Sequence, residues 1–288
     1  MSNPTRPRPE RTFILCADDY AHDAGVSAGI LALGDQRRLT ATSAMVLSPR
    51  WAQDAAPLRE RRGLLDVGLH LDWTSPFAQE AGHGMGLGAL MLRSLSHTLP
   101  GRLRLQGLIA RQLDAFEQHW QAVPDHIDGH QHVHQFPGLR QALLAELQRR
   151  YGDRPQRPWL RVSRQNATER DLKGRIIAAM GAQALLHFAQ EQAWPHAPWL
   201  SGVYGFDGDA ATYRAHMQRW LAALQPGTVL MCHPAQAVSG PLEPAAAQDG
   251  IAAARRAEFS YLSSPALARD LDQAGARPVR MGQMERHG

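Results

Sequence analysis

The 288-residue chain is 44% hydrophobic, enough for one sizeable core or a large single α/β domain. Its 31 basic and 27 acidic residues leave a formal net charge of only +4, and the two signs alternate through most helices, so no nucleic-acid partner is expected. With only two cysteines, Cys16 and Cys232, a disulfide scaffold is excluded and a reducing, cytoplasmic compartment is expected.

The opening MSNPTRPRPER, residues 1–11, reads as a disordered tail. No apolar stretch of signal-peptide or membrane-spanning length follows it, and no membrane partner is expected. TFILCADD then reads as a buried strand ending in two carboxylates, AGVSAGILALGDQRR as a helix and ATSAMVL as a second strand. WAQDAAPLRERR is a second helix, and LLDVGLHL a third strand that ends in a histidine. Strand and helix thus alternate as in a parallel sheet. Residues 73–108, with the glycine-rich AGHGMGLG, break the rhythm and read as a loop with short helical pieces, a rim or lid insertion.

IARQLDAFEQHW resumes as a helix, PDHIDGH as a strand and FPGLRQALLAELQRRYG as another helix. WLRVSR and SGVYGF read as further strands, PGTVLMCHPA as a last buried one, and helices fill the intervals and the close. The expected fold is a single-domain, irregular (β/α) barrel with mostly parallel strands over residues 12–280; an open doubly wound sheet is the alternative. No GxGxxG follows the first strand, which argues against a dinucleotide site.

One placement repeats. Buried strands end in Asp18-Asp19, in His70, in Asp128 with His130, and in His233. In parallel α/β folds these ends share one face, so the residues would converge. Carboxylate and imidazole suit zinc, manganese, iron or cobalt, while magnesium prefers more oxygen. Three protein ligands leave room for water, a carboxylate beside them can take its proton, and a histidine can protonate a leaving nitrogen or support an oxyanion. Metal-assisted hydrolysis is the reaction such a set suggests. Each piece also has an ordinary structural reading: Asp18-Asp19 as helix caps, His70 as a satisfied core histidine, His233-Pro234 as a strand end.

The motifs CADDYAHDAGVSAGI (Cys16–Ile30), GLHLDWT (Gly68–Thr74), HIDGHQHVHQFP (His126–Pro137) and MCHPA (Met231–Ala235) lie in order over most of the chain. Together they resemble the signatures of the YdjC-like carbohydrate deacetylases, of which chito-oligosaccharide deacetylase is the best-known type. The resemblance implies an irregular barrel that removes acetyl groups from N-acetylated sugars. It implies one divalent ion, magnesium or zinc, held by Asp19, His70 and His130, with Asp18 as general base and His233 as general acid or oxyanion support. Three positions depart from the pattern. Tyr20-Ala21 stands where Phe-Gly is usual, Ser27 where Asn is usual, and Gly129 where Ser is usual. The departures bear on substrate detail more than on the chemistry.

The alternative functions are a metal-dependent hydrolase of a non-sugar amide or ester, and a non-catalytic sugar-binding protein. Asp18 and His233 favour the enzymes, since a binder has no use for a base and an acid. The expected partner is a small N-acetylated sugar or oligosaccharide, and a homodimer is open. Arg161 and Arg164 stand on or after a strand, where an arginine would orient Asp18 or simply line a solvated rim. Trp73, Tyr204 and Phe206 would stack on a pyranose or pack in the core. Cys16 and Cys232 end the first and last strands, which are neighbours in a closed barrel.

The tract HIDGHQHVHQFP holds four histidines. If it is extended, His130, His132 and His134 face one way with successive side chains about 7 Å apart. One ion with ligand bonds of about 2 Å cannot take all three. A single ligand is expected from the tract. Choosing His130 over His132 rests on the family resemblance. Asp128 would hold a ligand's second ring nitrogen, His132 would shape the pocket, His134 would reach substrate, and His126 would lie away from the metal.

Overall fold

The computed structural model describes residues 11–166, 169, 172–239 and 243–284. The expected tail therefore lies outside the described residues, except Arg11, which already begins the first strand. In chain order the strands are β1 (Arg11–Tyr20), β2 (Ala41–Ala44), β3 (Asp66–Leu71), β4 (His126–Gly129), β5 (Trp159–Arg161), β6 (His196–Ala197), β7 (Trp199–Ser201), β8 (Thr228–Cys232) and β9 (Ala276–Pro278). The ladder runs β6-β5-β4-β3-β2-β1-β8-β7, and every pairing in it is parallel.

β6 and β7 are successive pieces of one crossing segment. Pro198 between them has no N–H to donate and interrupts the ladder. β6 stays on β5 while β7 joins β8. The Leu200 N–H also donates to the Arg164 carbonyl (2.8 Å), so one short segment bridges both edges and nearly closes the barrel. The expected SGVYGF strand is consequently shifted: pairing ends at Ser201, because Gly202 turns the chain with φ +97°. β9 has no counterpart among the predicted elements; it adds to β1 at the opposite end from the site, pairing Arg11–Phe13.

Strand alternation separates two cores. Ile14, Cys16, Trp159, Val229 and Met231 fill the barrel interior. Phe13, Leu15, Ala17, Leu69, Ile127 and Leu230 face outward and pack under the helices. The two cysteines fall on opposite faces. Cys16 pairs with Met231 inside, and Cys232 with Ala17 outside, its Sγ reaching only the Cys16 carbonyl (3.5 Å). Both are free.

The 73–108 excursion contains helices Pro76–Glu80 and Leu87–Leu95 and the start of the long helix Arg102–Trp120. Among the described residues no helix is long and apolar enough to cross a membrane.

Candidate active site

Because the strands are parallel, their carboxyl ends meet at one mouth. Along β1, Asp18 follows the alternation of Ile14 and Cys16 and points into the barrel, which would turn Asp19 outward. A bulge prevents this: Ala17 pairs with Thr42 but Tyr20 with Ala44, so β1 carries one extra residue. Asp19 absorbs the bend at φ +68° and Ala21 at φ +70°. Both carboxylates then line the same cavity. Ala21, standing where glycine is usual, is held in this less favoured conformation by a bond from its N–H to Ser27 Oγ (3.2 Å).

Asp19, His70 and His130 converge. Asp19 Oδ1 lies 3.3 Å from His70 Nε2 and 3.0 Å from His130 Nδ1. Ligand atoms on one ion with bonds of about 2.1 Å sit roughly 3–3.5 Å apart, so this spacing fits a divalent ion. The other oxygen, Oδ2, accepts from Arg255 Nη2 (2.7 Å), which leaves Oδ1 for the histidines. Burial alone would raise the Asp19 carboxyl, but Arg255 and His130 hold it well below the usual carboxylate range.

His70 is aimed by what lies behind it. Its Nδ1–H donates to Asp128 Oδ1 (2.7 Å), which turns Nε2 toward Asp19, where an ion would take the place of the Nε2 proton. Burial lowers the proton affinity of His70, but Asp128 and Asp18 outweigh it and push the imidazole up to about 10. Asp128 Oδ2 accepts from Ser43 Oγ (2.6 Å), and Ser43 in turn accepts from His126 Nε2 (3.0 Å). The His126 ring lies stacked on Trp159 with centroids 4.3 Å apart, and burial depresses it to about 4. Gly68 makes room for this ring, since a Cβ there would come within 2.3 Å of it.

Arg161 ends β5 with no exposure at all. It donates Nη1 and Nη2 to the two oxygens of Asp18 (2.7 and 2.9 Å), and Nη1 also lies 3.1 Å from Asp128. Burial of Asp128 raises its carboxyl, and Arg161 with His70 more than reverses this.

His233 follows β8. Its Nε2 stands 3.9 Å from Asp18 Oδ2, and its Nδ1 lies 3.9 Å from Glu258 Oε1 and accepts no hydrogen bond. Burial lowers it to about 4, so the ring is neutral at pH 7. Glu258 accepts from the His233 N–H (2.5 Å) and the Tyr204 hydroxyl (2.6 Å), and burial raises it to about 7.

The histidine tract is not extended. The strand stops at Gly129, and His130–Gln135 forms a 3₁₀ turn with Gln131 and His132 at φ +51° and +64°. The turn separates the side chains instead of aligning them. His130 reaches Asp19, and His132 lines the cavity but bonds to Ser163 Oγ through Nδ1 (3.0 Å). His134 does not reach the cavity: it is buried behind it and donates Nε2–H to the Arg161 carbonyl (2.7 Å), which ties the turn to β5. Trp73 and Tyr204 are likewise core residues, Trp73 against His83 and Tyr204 against Glu258, and neither lines the cavity; Phe206 does. Arg164 lies over the Trp199 ring at 3.8 Å, away from Asp18.

Two other acid and histidine groupings are geometrically close, Cys16–His126–Asp128 and Asp18–His70–Asp128. In the first, Ser43 Oγ already links His126 Nε2 (3.0 Å) to Asp128 Oδ2 (2.6 Å), and burial pushes the Cys16 thiol well up. In the second, the Arg161 cation already bridges the two carboxylates. Arg255 and Glu258 are absent from the sequence reading. Their one signal there is a charged pair three residues apart on the buried stripe of helix Ala252–Leu262, beside Ala254, Tyr261 and Leu262.

Residues 12–273 match the family model described as YdjC-like protein. The chain belongs to the YdjC-like family. Among its curated relatives, a chitooligosaccharide deacetylase of Yersinia enterocolitica is 26% identical over 277 residues, covering 93% of this chain and 97% of the relative. Another from Serratia marcescens is also 26% identical, covering 92% and 96%. In fold, the chain is similar to a candidate cellobiose-phosphate cleavage protein of Enterococcus faecalis, with a TM-score of 0.68 at 20% identity over 95% of this chain and 98% of that one. The family's usual Asp-Asp pair is here the bulge of β1, and its histidine tract the 3₁₀ turn after β4.

Proposed function

We propose that this YdjC-like protein is a metal-dependent hydrolase that removes the acetyl group from an N-acetylated sugar or oligosaccharide. One observation carries the reading: the donor atoms of Asp19, His70 and His130 lie within 4.8 Å of one another, on a cavity that Asp18 and His233 also line. The names of the two curated relatives support the substrate class.

Asp19, His70 and His130 would hold the ion. Once bound, it supplies Lewis acidity toward an amide carbonyl and acidifies water beside it. The remaining work falls to the chain. Asp18, with both oxygens fixed by Arg161, accepts the proton of the attacking water. His233 is neutral at rest, so it serves as a hydrogen-bond donor to the developing oxyanion and keeps its own proton, while the proton that Asp18 takes from water is the one delivered to the leaving amine. Asp128 keeps His70 in the tautomer that presents Nε2. The cavity, about 870 Å³, has room for more than one sugar ring.

Much of its wall is apolar, including Met91, Ile176, Phe206 and Ile251, and this favours a second reading, hydrolysis of a non-sugar amide. Acetate release separates the two. Metal-loaded protein is assayed on N-acetylglucosamine and its oligomers beside simple N-acetyl amides. Acetate from the sugars is expected. Turnover of the simple amides alone would sink the sugar reading, and no turnover by protein with a bound equivalent of metal would sink both.

A further inference from the structure

The segment between Glu80 and Asp114 contains four arginines and no acid, which equals the formal net charge of the whole chain, +4. The rest of the molecule is balanced, so the excess is concentrated here. The same segment carries three of the most exposed large apolar side chains among the described residues: Leu92 (68%), Leu95 (57%) and Leu103 (81%). Arg93, Arg102 and Arg104 are exposed between and beside them. Leu92 and Leu95 stand three residues apart and so share one face of helix Leu87–Leu95.

The exposure is not a loose end. The inner side of the segment is firmly seated: Leu90 and Leu105 are buried in the main core, and Ser94 Oγ donates to the Pro137 carbonyl (3.0 Å). The outward leucines are therefore held out by packed neighbours. The segment also borders the site, since Leu87 and Met91 line the cavity mouth. From a second segment, Leu172 and Ile176 line the same cavity, yet are 71% and 45% exposed. Exposed apolar residues from two segments that border one cavity, interleaved with arginines in one of them, match a lipid surface bearing negative headgroups.

We propose that this rim docks the protein on anionic membranes, with the mouth of the cavity facing the lipid layer. Leu92, Leu95 and Leu103 enter the headgroup–acyl boundary, and Arg93, Arg102 and Arg104 pair with the phosphates above it. This is surface docking, not spanning, and it departs from the sequence expectation of no membrane partner.

The test is co-sedimentation of the full chain with two kinds of vesicle. One holds equal parts phosphatidylcholine and phosphatidylglycerol, the other phosphatidylcholine alone. Binding is expected on the first, is weak on the second, and falls with added salt. Replacing the three leucines by serine (L92S, L95S, L103S) weakens it by about ten-fold per residue. The separate triple variant R93Q, R102Q, R104Q weakens it roughly 100-fold, about five-fold per charge. Neither set lines the cavity, so turnover of a soluble substrate stays unchanged in both. Failure of the wild-type chain to sediment with phosphatidylglycerol overturns the proposal, as does binding that both variant sets retain. A wild-type dimer that the leucine variant converts to monomer also overturns it, because a second copy would then cover the patch.

Discussion

Arg161→Met tests the electrostatic architecture beneath the site. The guanidinium serves two buried carboxylates, Asp18 at 2.7 and 2.9 Å and Asp128 at 3.1 Å, and is itself fully enclosed. Methionine fills similar volume but leaves both anions without their cation. Removing one partner of a buried ion pair costs about 3–5 kcal/mol. That is a large share of the stability of an ordinary domain. With a urea slope of about 3 kcal/mol/M, the midpoint falls by roughly 1–1.7 M at pH 7. Tryptophan fluorescence follows it.

The pH dependence gives a second reading of the same cause. In the wild type the folded Asp128 carboxyl is depressed, so its contribution is present above the unfolded value of about 3.9 and is lost as pH falls through the folded one. Without Arg161 the main cause of that depression is gone. The gap between wild type and variant should be largest at neutral pH and shrink on acidification as the unpaired Asp128 carboxylate, which burial raises, takes up a proton. A variant within about 1 kcal/mol of wild type at pH 7, or a gap that widens on acidification, refutes the reasoning. Arg161→Lys keeps the charge and loses the fork, so it should be the less destabilised of the two.

Asp19→Asn, His70→Ala and His130→Ala should each lose tightly bound metal by elemental analysis, whereas His132→Ala should keep it, because His132 bonds to Ser163 and not to Asp19. Asp18→Asn should retain metal while kcat falls by about 10²–10⁴, the usual share of a positioned general base. Gly68→Ala should lower the urea midpoint by the equivalent of about 1–3 kcal/mol, since its Cβ would press on the His126 ring at 2.3 Å; unchanged stability would mean that the barrel interior has slack. Ser43→Ala should weaken metal binding by about ten-fold or more in a competition titration, as it unties Asp128 from His126 and leaves His70 less well aimed.

The sequence alone was enough for the family, the parallel barrel and the chain order of its polar strand ends. Those are local properties: short apolar runs, helical periodicity between them, and motifs within a few residues of one another. Alternation within a strand also predicts which side of β3 or β4 a residue occupies, as with His70 and Asp128. It fails at Asp19, because only the register of β2 against β1 creates the bulge that turns both carboxylates to one side. It fails again after Gly129, where left-handed backbone at Gln131 and His132 sends three histidines to three destinations. Trp73 and Tyr204 look like sugar platforms in sequence and are core in space. Arg255 and Glu258 reach Asp19 and His233 from more than two hundred and from twenty-five residues away, by way of a helix with no motif of its own. Pattern and composition determine which elements form and in what order. Which oxygen faces which nitrogen is decided by long-range packing, because directional bonds of about 3 Å depend on registers and crossings that no stretch of chain contains by itself.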